Sequence, residues 1–427
     1  MIGIVVSAVD PASVAIRDAL ESQIDWSDRS AYRRSADGRF AMRSVEQRHL
    51  DLVHPEAAFP AIDRLLVVSK HAGETGRLVT AHAPGNIASA DHGGEPATLP
   101  PADPSALDAI LAGFREHAPP EYEVGMECTH HGPTAVDVPI TFVEIGSDAD
   151  AWHDESAARA VSRAIADLPD RLATGDPRPV AGFGGGHYVP RFERIQRDTD
   201  WAVGHVAADW ALDELGDPRE HAAIVAAVLD RSGADLAVVD GDHPGVEAVL
   251  ADSDHRIVSE TWLREADGVP IDRVAALEAA LGPIDGGLAI GEAAARVDDW
   301  SIASIPADLI DIARAVDREA VTALLRAHCV AIDRENDQPT GRVAVGPEGP
   351  PIDPLIGVID REHRVERADD TIAIERRVFD PERARAMDVP DGPAFGRLAN
   401  GESIEVDGES IDPDDVHRIE TTRIDLE

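Results

Sequence analysis

The chain has very little lysine and cysteine, and it contains no long apolar run. Lys70 is the only lysine among 39 basic residues, and Cys128 and Cys329 are the only cysteines. Two widely separated thiols do not make a disulfide framework, which indicates a reducing compartment. No segment approaches the roughly eighteen apolar residues of a membrane helix, and the first residues form an apolar strand without a basic leader. We therefore expect a soluble, cytoplasmic protein without membrane contact.

Acidic residues are in large excess. They outnumber basic residues by 81 to 39, for a net charge of -42, and they are spread along the whole chain. An acidic, lysine-poor composition is typical of the cytosol of extremely halophilic archaea. At molar salt the Debye length is about 3 Å, so repulsion between an acidic surface and phosphates is heavily screened. The charge therefore does not exclude a nucleic-acid partner.

Strands and helices alternate over the first two thirds of the 427 residues. Apolar runs and helical periodicity mark these segments. The predicted strands cover residues 2–8, 64–69, 78–82, 123–128, 139–145 and 236–240. The predicted helices cover a segment from residue 10, and residues 103–117, 151–168, 201–215 and 220–231. This order predicts an α/β fold with a central mixed sheet flanked by helices.

A change of composition near Gly282 predicts a domain boundary. We assign residues 1–285 to a catalytic domain and residues 286–427 to a C-terminal accessory extension. After one helix predicted at residues 306–327, the extension has Gly-Pro clusters and short alternating runs such as Thr371-Ile372-Ala373-Ile374. These patterns predict a β-rich module with few candidate catalytic groups.

The segment Glu127-Cys128-Thr129-His130-His131-Gly132-Pro133 concentrates reactive side chains. On a strand, His130 and His131 would point to opposite faces, so both reach one pocket only if the backbone turns. Gly132-Pro133 favours such a turn. Which histidine faces a substrate stays open, and Cys128 is interpreted as a buried bystander.

Histidines lie beside glycines in three segments, residues 71–82, 127–131 and 182–187, and each follows a predicted strand. Ligands of an open α/β sheet bind at the carboxyl ends of strands, so the three segments could converge on one crevice. Candidate zinc ligands are His71, His82, Glu127, His130, His131 and His187. The alternative is that these histidines are structural, since their spacing matches no short metal motif.

Two charged residues stand out for their surroundings. Glu144 lies in the apolar run Phe142-Val143-Glu144-Ile145-Gly146, where an ionised carboxylate must be paired or used. It could be a general base, a partner that orients a histidine, or one half of a buried ion pair. Lys70 is expected where a compact ammonium is needed beside a phosphate or a carbonyl oxygen, and chance retention is the alternative.

The glycine-rich segment Gly182-Phe183-Gly184-Gly185-Gly186-His187 runs on to Arg191. It lacks the spacing of a dinucleotide-binding loop and has no Walker lysine. The amides of Gly184, Gly185 and Gly186 could form an oxyanion hole, or the segment could be a structural tight turn. Two arginine clusters could hold an RNA backbone or could merely balance nearby acids. Their members are Arg33, Arg34, Arg43 and Arg48, and Arg191, Arg194 and Arg197.

Four motifs together resemble the archaeal and plant D-aminoacyl-tRNA deacylase family. The motifs are Ser69-Lys70-His71 with Gly85-Asn86, the segment from Glu127 to Pro133, the run from Phe142 to Gly146, and the stretch from Gly182 to Arg191. The resemblance covers about residues 1 to 285. Residues after about Gly286 match only the longer haloarchaeal members.

The resemblance implies hydrolysis of the ester between a D-amino acid and the terminal adenosine of tRNA. It implies a core similar to phosphorylases and peptidyl-tRNA hydrolases, and two zinc ions per subunit. In that reading His71, His82, His130, His131 and His187 bind metal. Lys70, Glu127, Glu144 and His187 take part in the chemistry, and Asn86, Arg191 and the three glycines bind substrate.

Two other interpretations are kept. In one, the fold positions a water molecule without metal, and the ribose hydroxyl of the tRNA assists. In the other, the protein binds tRNA or a nucleoside without catalysis, and its histidines are structural. We expect a monomer whose partner is D-aminoacyl-tRNA, and the sequence indicates no protein partner.

Overall fold

The computed structural model describes residues 1–29, 31–175, 177–368, 370–406 and 408–426. The chain divides into two compact units, Met1–Asp267 and Gly268–Glu427. This division falls before the expected boundary at residues 285 and 286, because the helix Ile271–Leu281 belongs to the second unit. There its Ala280 carbonyl accepts a hydrogen bond from Arg342. In the described ranges, no helix is both long and apolar enough to cross a membrane.

The first unit contains strands and helices in alternation. Its strands are β1 (Ile2–Ser7), β2 (Trp26–Asp28), β3 (Arg33–Ser35), β4 (Phe40–Val45), β5 (Arg64–Lys70), β6 (Leu78–His82), β7 (Glu123–Met126), β8 (Ile140–Gly146), β9 (Arg178–Gly184), β10 (Trp201–Ala207), β11 (Leu236–Asp240) and β12 (Arg256–Ile257). Its helices are α1 (Pro11–Gln23), α2 (Pro104–His117), α3 (Ala149–Trp152), α4 (Glu155–Leu172), α5 (Pro190–Asp198), α6 (Asp209–Leu215), α7 (Ala222–Asp230), α8 (Pro244–Ala251) and α9 (Glu260–Glu265). Short 3-10 helices lie at His49–Asp51, Pro55–Ala58 and Pro218–His221.

Two sheets organise the described part of this unit. Eight strands form one sheet in the order β2-β3-β4-β1-β5-β8-β6-β7, and four form another in the order β10-β9-β11-β12. The first sheet is mixed, because β1, β4, β5 and β8 run parallel while β6 is antiparallel to β8. The second sheet is parallel. The predicted α/β class with a mixed central sheet is confirmed.

Local sequence explains where the main helices begin. The carboxylate of Asp10 accepts a hydrogen bond of 2.9 Å from the Ser13 amide, and Pro11 occupies the first turn of α1. Asp103 caps α2 in the same way through the Ala106 amide at 3.0 Å. Such caps satisfy amides that have no partner inside the helix. Both helices pack against α4 and cover the large sheet from one side.

The helix predicted at residues 201–215 is wrong in its first half. Residues Trp201–Ala207 form β10, which is buried along its whole length beside β9, and only Asp209–Leu215 is helical. A short run buried on both faces shows no period-two alternation, so it resembles a buried helix in sequence. The strand carries His205 into the interior, where sequence analysis had not placed it.

The second unit is rich in β-structure, as predicted. Its strands are β13 (Ala289–Ile290), β14 (Ser301–Ser304), β15 (Cys329–Glu335), β16 (Gln338–Val345), β17 (Arg364–Ala368), β18 (Thr371–Phe379), β19 (Ile404–Val406), β20 (Glu409–Ile411) and β21 (His417–Asp425). Its helices are α10 (Ile271–Leu281), α11 (Ala307–Val316), α12 (Arg318–His328), α13 (Ile352–Ile359), α14 (Pro381–Ala386) and α15 (Pro393–Ala399). Short 3-10 helices lie at Ile284–Gly286, Glu292–Ala295 and Pro413–Val416.

Antiparallel sheets in the orders β13-β15-β16-β14 and β17-β18-β21 share one apolar core with α11, α12 and α13. The predicted helix at residues 306–327 is divided between α11 and α12. The backbone of Asp317 is extended at that point, and its carboxylate caps α12 through the Ala320 amide at 2.9 Å.

His205 ties the strands of the first unit to the histidine-rich segment. Its ring nitrogens lie 3.0 Å from the Thr129 hydroxyl and 2.9 Å from the Pro100 carbonyl oxygen. The Thr129 hydroxyl also accepts a hydrogen bond of 3.0 Å from the Val206 amide. Complete burial lowers the pKa of His205 to about 4, although the Pro100 carbonyl opposes the shift. The neutral imidazole is therefore the form that holds residue 129.

The pKa of His205 predicts a specific pH dependence of stability. The unfolded chain takes up this proton near pH 6.5 and the folded chain only near pH 4, so His205 stabilises the fold above pH 6.5 and loses that contribution towards pH 4. The difference corresponds to about 3 kcal/mol. In chemical unfolding at molar KCl, the excess stability of the wild type over His205→Gln should shrink by about this amount between pH 7 and pH 4. A constant difference would contradict the assignment.

Candidate active site

Glu144 lies at the centre of the site because three neighbouring strands place their side chains there. β8 pairs with β5 so that Glu144 is level with Ser69, and it pairs with β6 so that Glu144 is also level with Thr80. His71 follows β5 directly, and His82 ends β6. The predicted convergence of strand ends thus includes one antiparallel strand, whose last residue lies level with Phe142.

The segment from Glu127 to His131 is fixed by hydrogen bonds to the glycine-rich loop and to β10. The Cys128 amide donates to the His187 carbonyl oxygen at 2.9 Å, and the Val189 amide donates to Met126 at 3.1 Å. The Thr129 amide donates to the Val206 carbonyl oxygen at 2.9 Å. These bonds bring the His130 and His187 rings to a centroid separation of 4.6 Å.

The backbone turns at His131, as Gly132-Pro133 predicted. His131 has a φ of 48°, in the left-handed region that is unusual for a residue with a side chain. Because of this turn, His130 and His131 both line the same pocket. The His82 ring stacks on His130 with centroids 4.2 Å apart, and His131 packs edge-on against Phe142 at 4.8 Å.

Glu127 is a fully buried carboxylate between two histidines. One oxygen lies 3.1 Å from His71 Nδ1 and the other 3.1 Å from His187 Nε2. Among the described residues, neither oxygen receives a hydrogen bond of good geometry. Burial raises the pKa of Glu127, but the contacts from His187 and His71 outweigh it and hold this pKa well below its usual range. The carboxylate is therefore ionised and has free acceptor capacity.

Glu144 is equally enclosed and has more partners. The Ser69 hydroxyl donates a hydrogen bond of 2.5 Å to Oε1. Nitrogens of His71, His82 and His131 lie between 3.5 and 3.9 Å from its oxygens. Burial raises the pKa of Glu144, yet these three imidazoles outweigh it and lower the pKa well below the ordinary value.

His71 is held from several directions. Its Nε2 lies 2.9 Å from the Tyr188 hydroxyl, and the indole of Trp152 donates to its carbonyl oxygen at 2.8 Å. Burial alone would lower the pKa of His71, but Glu127 and Glu144 raise it to about 10. Gly146 is required beneath the ring, because a Cβ there would come within 2.8 Å of His71 Cβ.

The pKa values of His130 and His131 are shifted in the opposite direction to that of His71. Burial, together with the neighbouring histidines, lowers the pKa of His130 well below its usual value. Burial also lowers the pKa of His131, although the contact with Glu144 opposes it. Neutral imidazoles of this kind have the lone pair that a metal ligand needs.

Donor atoms of the site fall into overlapping groups whose members all lie within 4.8 Å of one another. The groups are His82, His130 and His131; His71, Glu127 and His187; Cys128, His130 and His187; and His82, Glu127 and Glu144. Nitrogen, oxygen and sulfur donors at this density suit zinc. Within the described ranges, no hydrogen bond reaches the Glu127 oxygens or His82 Nε2, which supports the same conclusion. The residues present therefore fit a divalent metal.

The pocket above this cluster has a volume of about 650 Å³. Seven predicted site residues line it, namely Lys70, His71, Asn86, His130, His131, Glu144 and His187. Its rim adds Leu50, Ala72, Ser89, Asp91, His92, Trp210 and Glu214. The Lys70 ammonium lies 4.5 Å from the centre of the Trp152 ring, which restricts where it can reach.

Four predicted substrate-binding residues do not line this pocket. The guanidinium of Arg191 forms ion pairs with Asp240 at 2.8 Å and with Glu260 at 3.4 Å. Gly184 is a structural glycine with a φ of 93°, and a Cβ there would lie 1.9 Å from the Asp240 carbonyl oxygen. Gly185 accepts a hydrogen bond from the Asp209 amide, and Gly186 faces the Tyr188 carbonyl.

Sequence reasoning missed several residues of the site. Ser69, Tyr188 and Trp152 orient Glu144 and His71, yet a lone hydroxyl or indole carries no spacing signal. Cys128 was interpreted as a bystander, but its sulfur lies among the donor atoms of His130 and His187. Burial raises the pKa of this thiol to about 12 when no metal is bound. Its position inside the Glu127 to His131 segment was the one available signal.

Glu127→Gln should weaken metal binding, because it removes the ionised oxygen between His71 and His187 while preserving the shape of the side chain. We expect the zinc affinity of the metal-free protein to fall at least about 10-fold, as for loss of a ligand or its supporting group. Competition with a chromophoric chelator measures this affinity. The control is Glu123→Gln, an exposed carboxylate on β7. Equal affinities in both variants would rule Glu127 out of the metal centre.

Comparison with known proteins agrees with the four motifs. A family model described as D-aminoacyl-tRNA deacylase matches residues 58–257. A solved structure of a conserved protein of unknown function is 26% identical and has a TM-score of 0.56, over 62% of this chain and 98% of that one.

Three curated D-aminoacyl-tRNA deacylases align along the whole chain. The protein from Halobacterium salinarum is 46% identical over 439 residues, covering 100% of this chain and 95% of its own. The protein from Natronomonas pharaonis is 43% identical over 446 residues and covers 100% of both chains. The protein from Methanoregula boonei is 30% identical over 452 residues, covering 100% of this chain and 98% of its own. The resemblance had suggested that residues after about Gly286 match only the longer haloarchaeal members. The alignment with the Methanoregula boonei protein shows that the extension is not confined to them. The chain belongs to the D-aminoacyl-tRNA deacylase family, and the predicted enzyme class, a hydrolase, is confirmed.

Proposed function

We propose that this chain hydrolyses the ester between a D-amino acid and the terminal adenosine of tRNA, with zinc held by its histidines. The observation that carries the proposal is the cluster of imidazoles and carboxylates at the floor of one open pocket. An ester is an activated substrate, so an electrophile, a proton acceptor and a stabilised oxyanion suffice for the reaction.

The donor atoms suggest two neighbouring metal positions. His82, His130 and His131 would hold one ion, and His71, Glu127 and His187 would hold the other. Cys128 adds a thiol on the side of His130 and His187. When bound, zinc supplies a Lewis acid that polarises a carbonyl and lowers the pKa of water towards neutrality. Two ions per chain is what the family resemblance implies.

Glu144 is our candidate for the proton acceptor. It lines the pocket, whereas Glu127 lies behind His71 and His187. The Ser69 hydroxyl occupies one oxygen of Glu144, which leaves the second oxygen to face His71 and the pocket. A carboxylate fixed in this way can receive a proton from the attacking water and pass it to the ribose oxygen as the ester C–O bond breaks, which releases the ribose hydroxyl.

Lys70 is our candidate for stabilising the oxyanion. It lines the pocket, while Gly184, Gly185 and Gly186 do not. Its ammonium is held over Trp152, and its backbone amide donates to Asp10 at 3.1 Å. A preplaced ammonium stabilises the negative charge that develops on the carbonyl oxygen, and it requires no reorganisation during the reaction.

Deacylation of matched D- and L-tyrosyl-tRNA in molar KCl tests the function and the roles together. We expect the wild type to release D-tyrosine preferentially, and His130→Ala and His187→Ala to be inactive with reduced zinc content. Glu144→Gln should retain zinc and lose about 10²- to 10⁴-fold in kcat, the usual contribution of a general base. Full activity of both histidine variants would refute the metal site. A wild type that binds the tRNA without releasing amino acid would indicate a non-catalytic binding protein.

Lys70 can be separated from general charge effects by two substitutions. Lys70→Met should lower kcat by about 10²- to 10³-fold, the usual effect of losing one oxyanion donor. Lys70→Arg keeps the charge but replaces a compact ammonium with a planar guanidinium, so we expect partial recovery. Steady-state kinetics on D-tyrosyl-tRNA measure both. If the loss appeared only in KM, Lys70 would contact a phosphate of the tRNA and not the carbonyl oxygen.

A further inference from the structure

Trp210 is an exposed tryptophan on the rim of the pocket. Its exposed fraction is 46%, and it is the only aromatic residue among the exposed large hydrophobic side chains of the described residues. Exposed apolar side chains are common singly, so exposure alone indicates nothing. The position of Trp210 is the informative feature, because the same pocket contains His130, His131 and His187.

The indole is placed by the same elements that build the metal cluster. It stands in the first turn of α6, whose Asp209 amide donates to the Gly185 carbonyl oxygen at 2.9 Å. Trp210 also lies near Cys128, since it opposes the rise that burial causes in the pKa of that thiol. The Cys128 sulfur in turn lies within 4.8 Å of donor nitrogens of His130 and His187. The ring therefore lines the same pocket as the candidate metal ligands, while about half of its surface stays open.

We propose that Trp210 is the platform on which the terminal adenine base of the tRNA stacks while the ester reaches the histidine cluster. The inference rests on the proposed function and extends it to the part of the substrate that does not react. Every base has a flat π face, and stacking on an aromatic side chain is worth about 1–3 kcal/mol per base.

Adenine is a better candidate partner for Trp210 than the amino-acid side chain, because adenine does not vary between substrates. The terminal adenosine is the same in every substrate, whereas the amino acid varies in size and polarity. A flat ring carried by a helix whose Asp209 amide is bonded to the Gly185 carbonyl oxygen suits an invariant flat group. The pocket volume of about 650 Å³ lies within the range of sites for small ligands and leaves room for the aminoacyl group beside the ribose.

Steady-state kinetics on two substrates, D-tyrosyl-tRNA and D-alanyl-tRNA, test the proposal. Trp210→Ala should raise KM about 5- to 150-fold, the equivalent of one base stack, with a much smaller change in kcat. The factor should be the same for both amino acids, and Trp210→Phe should recover most of it. A loss confined to D-tyrosyl-tRNA would assign Trp210 to the amino-acid side chain and overturn the proposal.

A binding measurement gives a second readout that does not depend on turnover. The probe is 3′-deoxy-3′-(D-alanylamino)adenosine, whose amide replaces the ester. It should quench tryptophan fluorescence in the wild type and in Trp300→Phe, a tryptophan control in the second unit, but far less in Trp210→Phe. Equal quenching in all three proteins would refute the stack. If the wild type quenches normally but releases no D-amino acid, the proposed function fails while the stack stands.

Discussion

Two buried carboxylates determine the organisation of the site. Glu127 and Glu144 are almost completely withdrawn from water, and both are ionised. Transfer of one such charge into a protein interior costs several kcal/mol unless other groups compensate it. The compensation comes from a shell of imidazoles, namely His71, His82, His131 and His187. Removing any one of them leaves part of this buried negative charge uncompensated.

The fold meets this constraint by bringing together residues that are distant in the chain. The register of β8 with β5 and β6 sets Glu144 between Ser69 and Thr80. Glu127 comes from the end of β7 and is joined through residues 126–129 to the loop after β9 and to β10. The two sheets of the first unit thus meet at the candidate site residues. Side chains outside the cluster, such as Tyr188, Trp152 and His205, mainly fix its orientation.

Much of this arrangement could be predicted from the sequence. Histidines that follow strands were expected to converge on one crevice, and His71, His130 and His187 do line one pocket. Glu144 was expected to be paired or used, and the structure places it in the same pocket beside three imidazoles. The errors have physical causes. A strand buried on both faces, β10, has no alternation and was taken for a helix. Arg191 stays a predicted substrate ligand, and its ion pairs with Asp240 and Glu260 are visible only in the tertiary structure. The sequence did not identify Trp210 as a site residue, because a local sequence pattern does not reveal that a side chain is exposed at a pocket.

In our proposal, metal held by these histidines is needed for ester hydrolysis. The most direct measurement is a titration of zinc into metal-free protein in molar KCl, with the initial rate of D-tyrosyl-tRNA hydrolysis followed at each step. We expect a negligible rate without metal and a rise that saturates when the one or two ions per chain are bound. A full rate from protein shown to be free of metal would contradict it, and would leave the carboxylates and Lys70 to activate water unaided.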